Sequence, residues 1–177
     1  MMAEHVVDEA ATQLDLSCKD LATLPARLGG GSSPLDGLLE LNVAFNQMRS
    51  LLGIAQSCPQ LQRLTCAHNR LDALPALPAC LERLDASHNS LSSLEPIAGC
   101  ASLRELWVPH NALPLASLLA LVGLRELRTL IAQGNPAERA SPSGLYRPAA
   151  LLMLPQLSSL DARPADRAEA SAFLSSG

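Results

Sequence analysis

The chain has 177 residues, a formal net charge of −4 and only 13 lysines and arginines, and 2% of its residues are aromatic. This composition argues against a nucleic-acid-binding surface, which needs clustered cations and usually stacking aromatic side chains. Leucine is by far the commonest residue. A core built largely from one side chain indicates that one structural unit is used repeatedly.

Residues 1–11 contain no basic segment followed by an apolar run. We therefore expect no secretory signal and interpret them as an N-terminal tail or cap. The longest apolar run, at 115–124, has about half the length needed to span a bilayer. The sequence therefore predicts no membrane anchor. None of the five cysteines forms a CxxC pair, and we expect reduced, mostly buried thiols.

From residue 12 to residue 135 the chain is periodic, with about six repeats. Five copies of the unit LxxLx(apolar)xxNxL recur about every 22 residues. Their asparagines are Asn46, Asn69, Asn89, Asn111 and Asn135. The stretch LDLSCKDLATLP at 14–25 is a degenerate first copy with Lys19 at the asparagine position. The segment GGGSSP at 29–34 interrupts the period, and we interpret it as a tolerated flexible insertion rather than a functional loop.

The alternating part of each unit predicts a short strand whose leucine points inward and whose neighbours point outward. Each asparagine stands where the chain turns out of its strand. Its amide can pair with buried backbone groups of neighbouring turns, so the five asparagines are predicted to form a structural ladder. The return segments predict extended or 3-10 structure where they are short and proline-rich. The segment PLASLLALVGLREL at 114–127 is long enough for an α-helix.

These repeats resemble the short, intracellular class of leucine-rich repeats, whose founding member regulates protein phosphatase 1. The C-terminal stretch resembles the cap of that class at Asn135-Pro136, Tyr146-Arg147, Leu154-Pro155-x-Leu157 and Leu160-Asp161. We therefore expect an α/β solenoid with a curved parallel sheet on its concave face and short helices or 3-10 turns on its convex face. A cap is expected at 136–165, followed by a polar tail at 166–177.

The register places one set of strand residues outward on the concave face. Trp107 is the single tryptophan, and with Ile131 beside it an apolar patch is predicted that suits a protein partner. The alternative is that the cap or a tail folds over it. The predicted partner-binding residues are Trp107, Ile131, Arg63, Arg83, Glu105 and Asp85.

His68, His88 and His110 each precede a ladder asparagine and fall in one outward column. We expect neighbours about 4.8 Å apart, a poor start for the converging ligands that zinc needs. Architecture and polar surface is the favoured interpretation. Partner contact and metal or ligand binding remain alternatives, and no metal or cofactor is predicted. The sequence lacks the motifs GxSxG, GxxxxGK[ST] and HExxH, and we expect a non-enzyme.

The predicted function is a protein-binding scaffold that is monomeric when alone and lies in the cytoplasm. By resemblance, LRELWVPHN at 103–111 is similar to a repeat of an axonemal dynein light chain. This implies an axonemal or microtubule-motor assembly, a ciliary location and a dynein heavy chain as a possible partner. A phosphatase-regulating subunit or a component of an RNA particle is the alternative. No direct nucleic-acid or membrane contact is expected.

Overall fold

The structure is a computed structural model that describes residues 12–25, 28, 35–140, 144–166, 168–169 and 171. The predicted N-terminal segment 1–11, the insertion 29–34 and residues 172–177 lie outside the described residues.

A single sheet of eight strands runs through the described chain, in sequence order from β1 to β8. All neighbouring strands are parallel except the last pair, which is antiparallel. The predicted repeat solenoid is therefore confirmed. The strands are β1 Gln13–Asp15, β2 Glu40–Asn42, β3 Arg63–Thr65, β4 Arg83–Asp85, β5 Glu105–Trp107, β6 Thr129–Ile131, β7 Ser159–Leu160 and β8 Arg163–Pro164.

The strands pair in the register that the repeats predict. The central leucine of each strand from β2 to β6 is at most 2% exposed, while its two neighbours point to the other face. One outward row runs through Glu40, Arg63, Arg83 and Glu105. A second row brings Asp85, Trp107 and Ile131 side by side. The leucine side chains therefore fill the core, and these rows lie on the opposite face of the sheet.

The predicted α-helix at 114–127 is wrong, because the chain forms a 3-10 helix over Leu115–Leu121. The reason lies in the leucine spacing. Leu118, Leu121 and Leu124 are buried and three residues apart, which places them on one face of a helix with three residues per turn. A shorter 3-10 helix spans Glu95–Ile97, and helix α1 spans only Ile54–Ser57. No helix in the described part of the chain could cross a membrane.

The C-terminal end is closed by helix α2 (Pro136–Arg139), helix α3 (Tyr146–Met153) and strands β7 and β8. Arg147 joins these parts. Its guanidinium donates to the carbonyls of Leu160 at 2.8 Å and Pro164 at 2.6 Å and to Glu169 at 2.8 Å. The charged group therefore ties the helix to the last two strands.

The thiols are free, as expected, in all five cysteines. Cys58, Cys66 and Cys100 are fully buried. Cys80 departs from the expectation, because it is only half-buried, and its thiol donates to the carbonyls of Pro59 and Leu61.

Candidate interaction surface on the sheet

Each ladder asparagine bridges its own turn and the preceding repeat. The amide nitrogen of Asn89 donates to the carbonyls of Cys66 at 3.1 Å and Ala86 at 3.2 Å. Its Oδ1 accepts the N–H of Leu71 at 2.9 Å. The same bonds recur at Asn46, Asn69, Asn111 and Asn135. The ladder thus satisfies backbone groups that would otherwise be left unpaired.

The residue before each asparagine has a left-handed backbone, with φ between 53° and 74° in the five complete repeats. This conformation ends the strand sharply. Since every repeat makes the same turn, the side chains at this position leave the sheet edge in the same direction. These side chains belong to Phe45, His68, His88 and His110, and the last position is Gly134, which has no side chain.

The side chains of Phe45, His68, His88 and His110 stack face to face. Successive ring centroids lie 4.3, 4.2 and 4.4 Å apart, with interplanar angles of at most 20°. We call these four rings the ring stack. Stacked imidazoles do not converge on one point, and the described residues contain no group of three or more His, Cys, Asp or Glu placed to hold a metal ion. The arrangement therefore disfavours the metal alternative for the histidine column.

The pKa of His88, inside the ring stack, is lowered by its surroundings. Partial burial is the main cause that lowers the pKa of His88, and the neighbouring His68 and His110 lower it further. The carboxylate of Asp85 opposes them. The surroundings of His88 thus favour its neutral form.

A groove of about 600 Å³ lies beside the ring stack. Phe45, His68 and His88 form one part of its lining, and small residues form much of the rest, including Ala44, Ala67, Ser87 and Pro109. Asp85 also lines it. Phe45 is 57% exposed, an unusual value for an aromatic side chain, so the groove is accessible. Phe45 was not predicted to contact a partner, and for the three histidines partner contact was only an alternative to an architectural role.

Trp107 lies on the sheet face but is less exposed than its register predicts. Its ring is half-buried, and the guanidinium carbon of Arg83 lies 5.5 Å from its centroid, in a cation–π contact. Its indole N–H is buried and finds no acceptor among the described residues. The half-buried Ile131 pairs with it in register. An arginine of the neighbouring strand therefore covers part of the tryptophan.

The two predicted arginines are neutralised by neighbours on the same row. Arg63 pairs with Glu40, and Arg83 pairs with Glu105 at 2.7 Å. The arginine side chains stay about half exposed, so such pairs stabilise the fold by no more than about 1 kcal/mol. All six predicted partner-binding residues lie on four adjacent strands, β3 to β6, and form one continuous surface.

Comparison with known proteins matches residues 80–100 to the leucine-rich-repeat family model. A curated relative, protein phosphatase 1 regulatory subunit SDS22 of Schizosaccharomyces pombe, is 38% identical over 68 residues. That match covers 37% of this chain and 20% of the relative, so the chain spans only a small part of the relative's length.

Solved structures show the same architecture. One match is to the crystal structure of the SNF/U2A′ complex of Drosophila melanogaster, at 23% identity and a TM-score of 0.56. It covers 92% of this chain and 79% of the matched chain. An internalin of Listeria monocytogenes matches at 20% identity and a TM-score of 0.59, over 71% of this chain and 35% of the other. Together with the repeats and their asparagine ladder, these matches show that the chain has the leucine-rich-repeat solenoid fold.

Proposed function

We propose that this protein is a non-enzymatic interaction module that binds a larger protein through the sheet face around Trp107. One observation carries the proposal: Trp107, the only tryptophan of the sequence, is half-buried rather than fully buried and lies on the outward face of the sheet. Tryptophan on such a face is a type of residue that often anchors a protein partner. Arg83 and Ile131 beside the indole add a cation and an apolar contact to the same surface.

The relatives indicate which partner to test first. One is named as a regulatory subunit of protein phosphatase 1, and one was solved in a complex with another protein. We propose an intracellular regulatory role for this chain, with a phosphatase catalytic subunit as the first candidate partner. A role in an RNA particle is the alternative. These relatives do not bear on the axonemal or microtubule-motor context, the dynein heavy chain or the ciliary location, which stay predictions.

Substitution at the surface tests the proposal. Trp107→Ala is expected to weaken binding by at least about 2 kcal/mol, more than tenfold, because it removes a central aromatic anchor. Leu52→Ala is the matched control, since Leu52 is 74% exposed and lies outside the sheet. Affinity would be measured by calorimetry with the purified protein phosphatase 1 catalytic subunit, or with a partner recovered from the native cell. Circular dichroism would establish that both variants fold. Unchanged affinity of a folded Trp107→Ala variant would move the binding surface elsewhere.

A further inference from the structure

Asp85 is the only carboxylate among the described residues that line the groove beside the ring stack. Its Oδ1 accepts the backbone N–H of Ser87 at 3.0 Å and also the Ser87 hydroxyl. Its Oδ2 makes no hydrogen bond to any described residue. The groove therefore contains a carboxylate whose turn-forming role uses one oxygen and leaves the other available.

The rest of the groove is suited to an apolar chain rather than to a second charge. Ala44, Ala67 and Pro109 contribute apolar surface, and the ring stack contributes imidazole and phenyl groups. A long side chain with an aliphatic stem and a cationic end matches this combination. Arginine matches it better than lysine, because its planar guanidinium binds carboxylates and packs against rings.

We propose that this groove receives an arginine side chain of the partner protein, whose guanidinium pairs with Asp85. The assignment rests on the proposed function only in placing that arginine on a protein partner. Asp85 pairs in register with Trp107, so the groove and the tryptophan surface are adjacent parts of one face. The incoming cation complements a groove whose described lining contains one carboxylate and no lysine or arginine.

The ring stack makes this binding dependent on pH. The titratable groups that act on His88 are His68 and His110 on the flanking turns and Asp85 on its own repeat. Protonated imidazoles would place positive charge beside the guanidinium and would also neutralise the field of Asp85. Arginine binding is therefore strongest when His88 is neutral, and it weakens as the pH falls and this ring becomes protonated.

A blocked tripeptide, acetyl-Gly-Arg-Gly-amide, tests the groove without any partner protein. It would be titrated into isotope-labelled protein while the backbone amide shifts of Ser87 and His88 are followed by NMR. The same peptide with citrulline, a neutral isostere of arginine, is the ligand control. We expect saturable shifts with arginine and much smaller shifts with citrulline. Equal shifts with both peptides, or no shift with the arginine peptide, would overturn the proposal.

Asp85→Asn removes the charge without removing the turn, because Asn42 at the equivalent position already accepts the N–H of Ala44 at 3.0 Å. This substitution is expected to lower the affinity for the arginine peptide about threefold to fivefold, the range for a partly exposed ion pair. Asp15→Asn is the matched control. Asp15 makes the same turn bond to Ser17 at 2.8 Å but does not line this groove. Equal losses in both variants would mean that only the overall charge matters, which contradicts the proposal.

Lowering the pH from about 7.5 to about 5.5 should weaken the arginine peptide in the unsubstituted protein. Unchanged affinity across this range would show that the guanidinium does not lie beside the rings. The result is separable from the test at Trp107. If the arginine peptide binds but Trp107→Ala leaves partner affinity unchanged, only the proposed binding surface is contradicted. If Trp107→Ala weakens partner binding but the arginine peptide does not bind, only the groove proposal is contradicted.

Discussion

The imidazole of His110 lies directly against the backbone of Gly134. A Cβ built on Gly134 would stand 2.6 Å from His110 Nδ1 and 2.9 Å from its Cε1. Gly134 also has a φ of +74°, in the left-handed region. Glycine is required here on two separate grounds, because a side chain would strain the backbone and displace the last ring of the stack.

Gly134→Ala is therefore expected to destabilise the fold more than Gly144→Ala. Gly144 has a similar φ of +84°, but a Cβ there would meet nothing within 4 Å. Gly144→Ala therefore isolates the backbone strain, which should lower the free energy of unfolding by about 1–2 kcal/mol. The clash with His110 should add about 1 kcal/mol or more to the loss in Gly134→Ala. Urea denaturation would measure both variants. Equal losses would mean that His110 moves away without cost.

The asparagine ladder should matter more to stability than the rings beside it. Asn89→Ala leaves the N–H of Leu71 without its acceptor and removes one of the two amide donors to the carbonyl of Cys66, so we expect a loss of about 1–3 kcal/mol. His88→Asn removes a ring but keeps a residue that tolerates the left-handed backbone, so its loss should be smaller. Chemical denaturation of the two variants under one set of conditions compares them. A larger loss for His88→Asn would assign the main structural role to the stack.

His88 should be harder to protonate than an unperturbed histidine, since burial and the two flanking histidines lower its pKa. The unfolded chain, with a histidine pKa of about 6.5, then binds protons that the folded chain resists. The free energy of unfolding should consequently fall as the pH drops from about 6.5 through the folded pKa. Below the folded pKa this loss of stability is complete. NMR titration of the ring signals measures the pKa directly. His88→Asn should reduce the pH dependence, and an unchanged slope would show that the stack does not cause it.

The cysteines should react with a thiol reagent in an order set by burial. Burial raises the pKa of Cys58 and of Cys100 to about 11, and it also raises the pKa of Cys66. These three should label only after unfolding, because the reactive thiolate is both scarce and inaccessible. Exposed Cys18 should label first, and half-buried Cys80 after it. Mass spectrometry of the labelled peptides reads the order, and early labelling of Cys66 would contradict the buried core.

Repeat spacing was sufficient to predict the strands and their pairing, because a leucine that faces the core must recur at the same place in every turn. Glu40, Arg63, Arg83 and Glu105 consequently lie in the predicted outward row. The predicted α-helix at 114–127 was wrong because it was inferred from the length of the segment without the period of its leucines. Leucines three residues apart favour the 3-10 helix that forms.

The environment of Trp107 could not be predicted in the same way. A register shows which way a side chain leaves a strand, but not which neighbour bends over it. The cation–π contact with Arg83 depends on the conformation of a long side chain and on its pair with Glu105. The ring stack was also missed as a feature, because the predicted strand spacing of about 4.8 Å did not indicate that the imidazoles lean together.

The direction of the asparagine bonds sets an order for folding during synthesis. Every ladder asparagine completes the turn of the repeat before it, as Asn135 does for Leu113. The backbone groups of a newly synthesised repeat therefore lack these hydrogen bonds until the next repeat has also been made. In the last turn the N–H groups of Ala132 and Gln133 are bound by Asp161, almost thirty residues later. A chain stalled before Asp161 would carry one unfinished turn at its growing end.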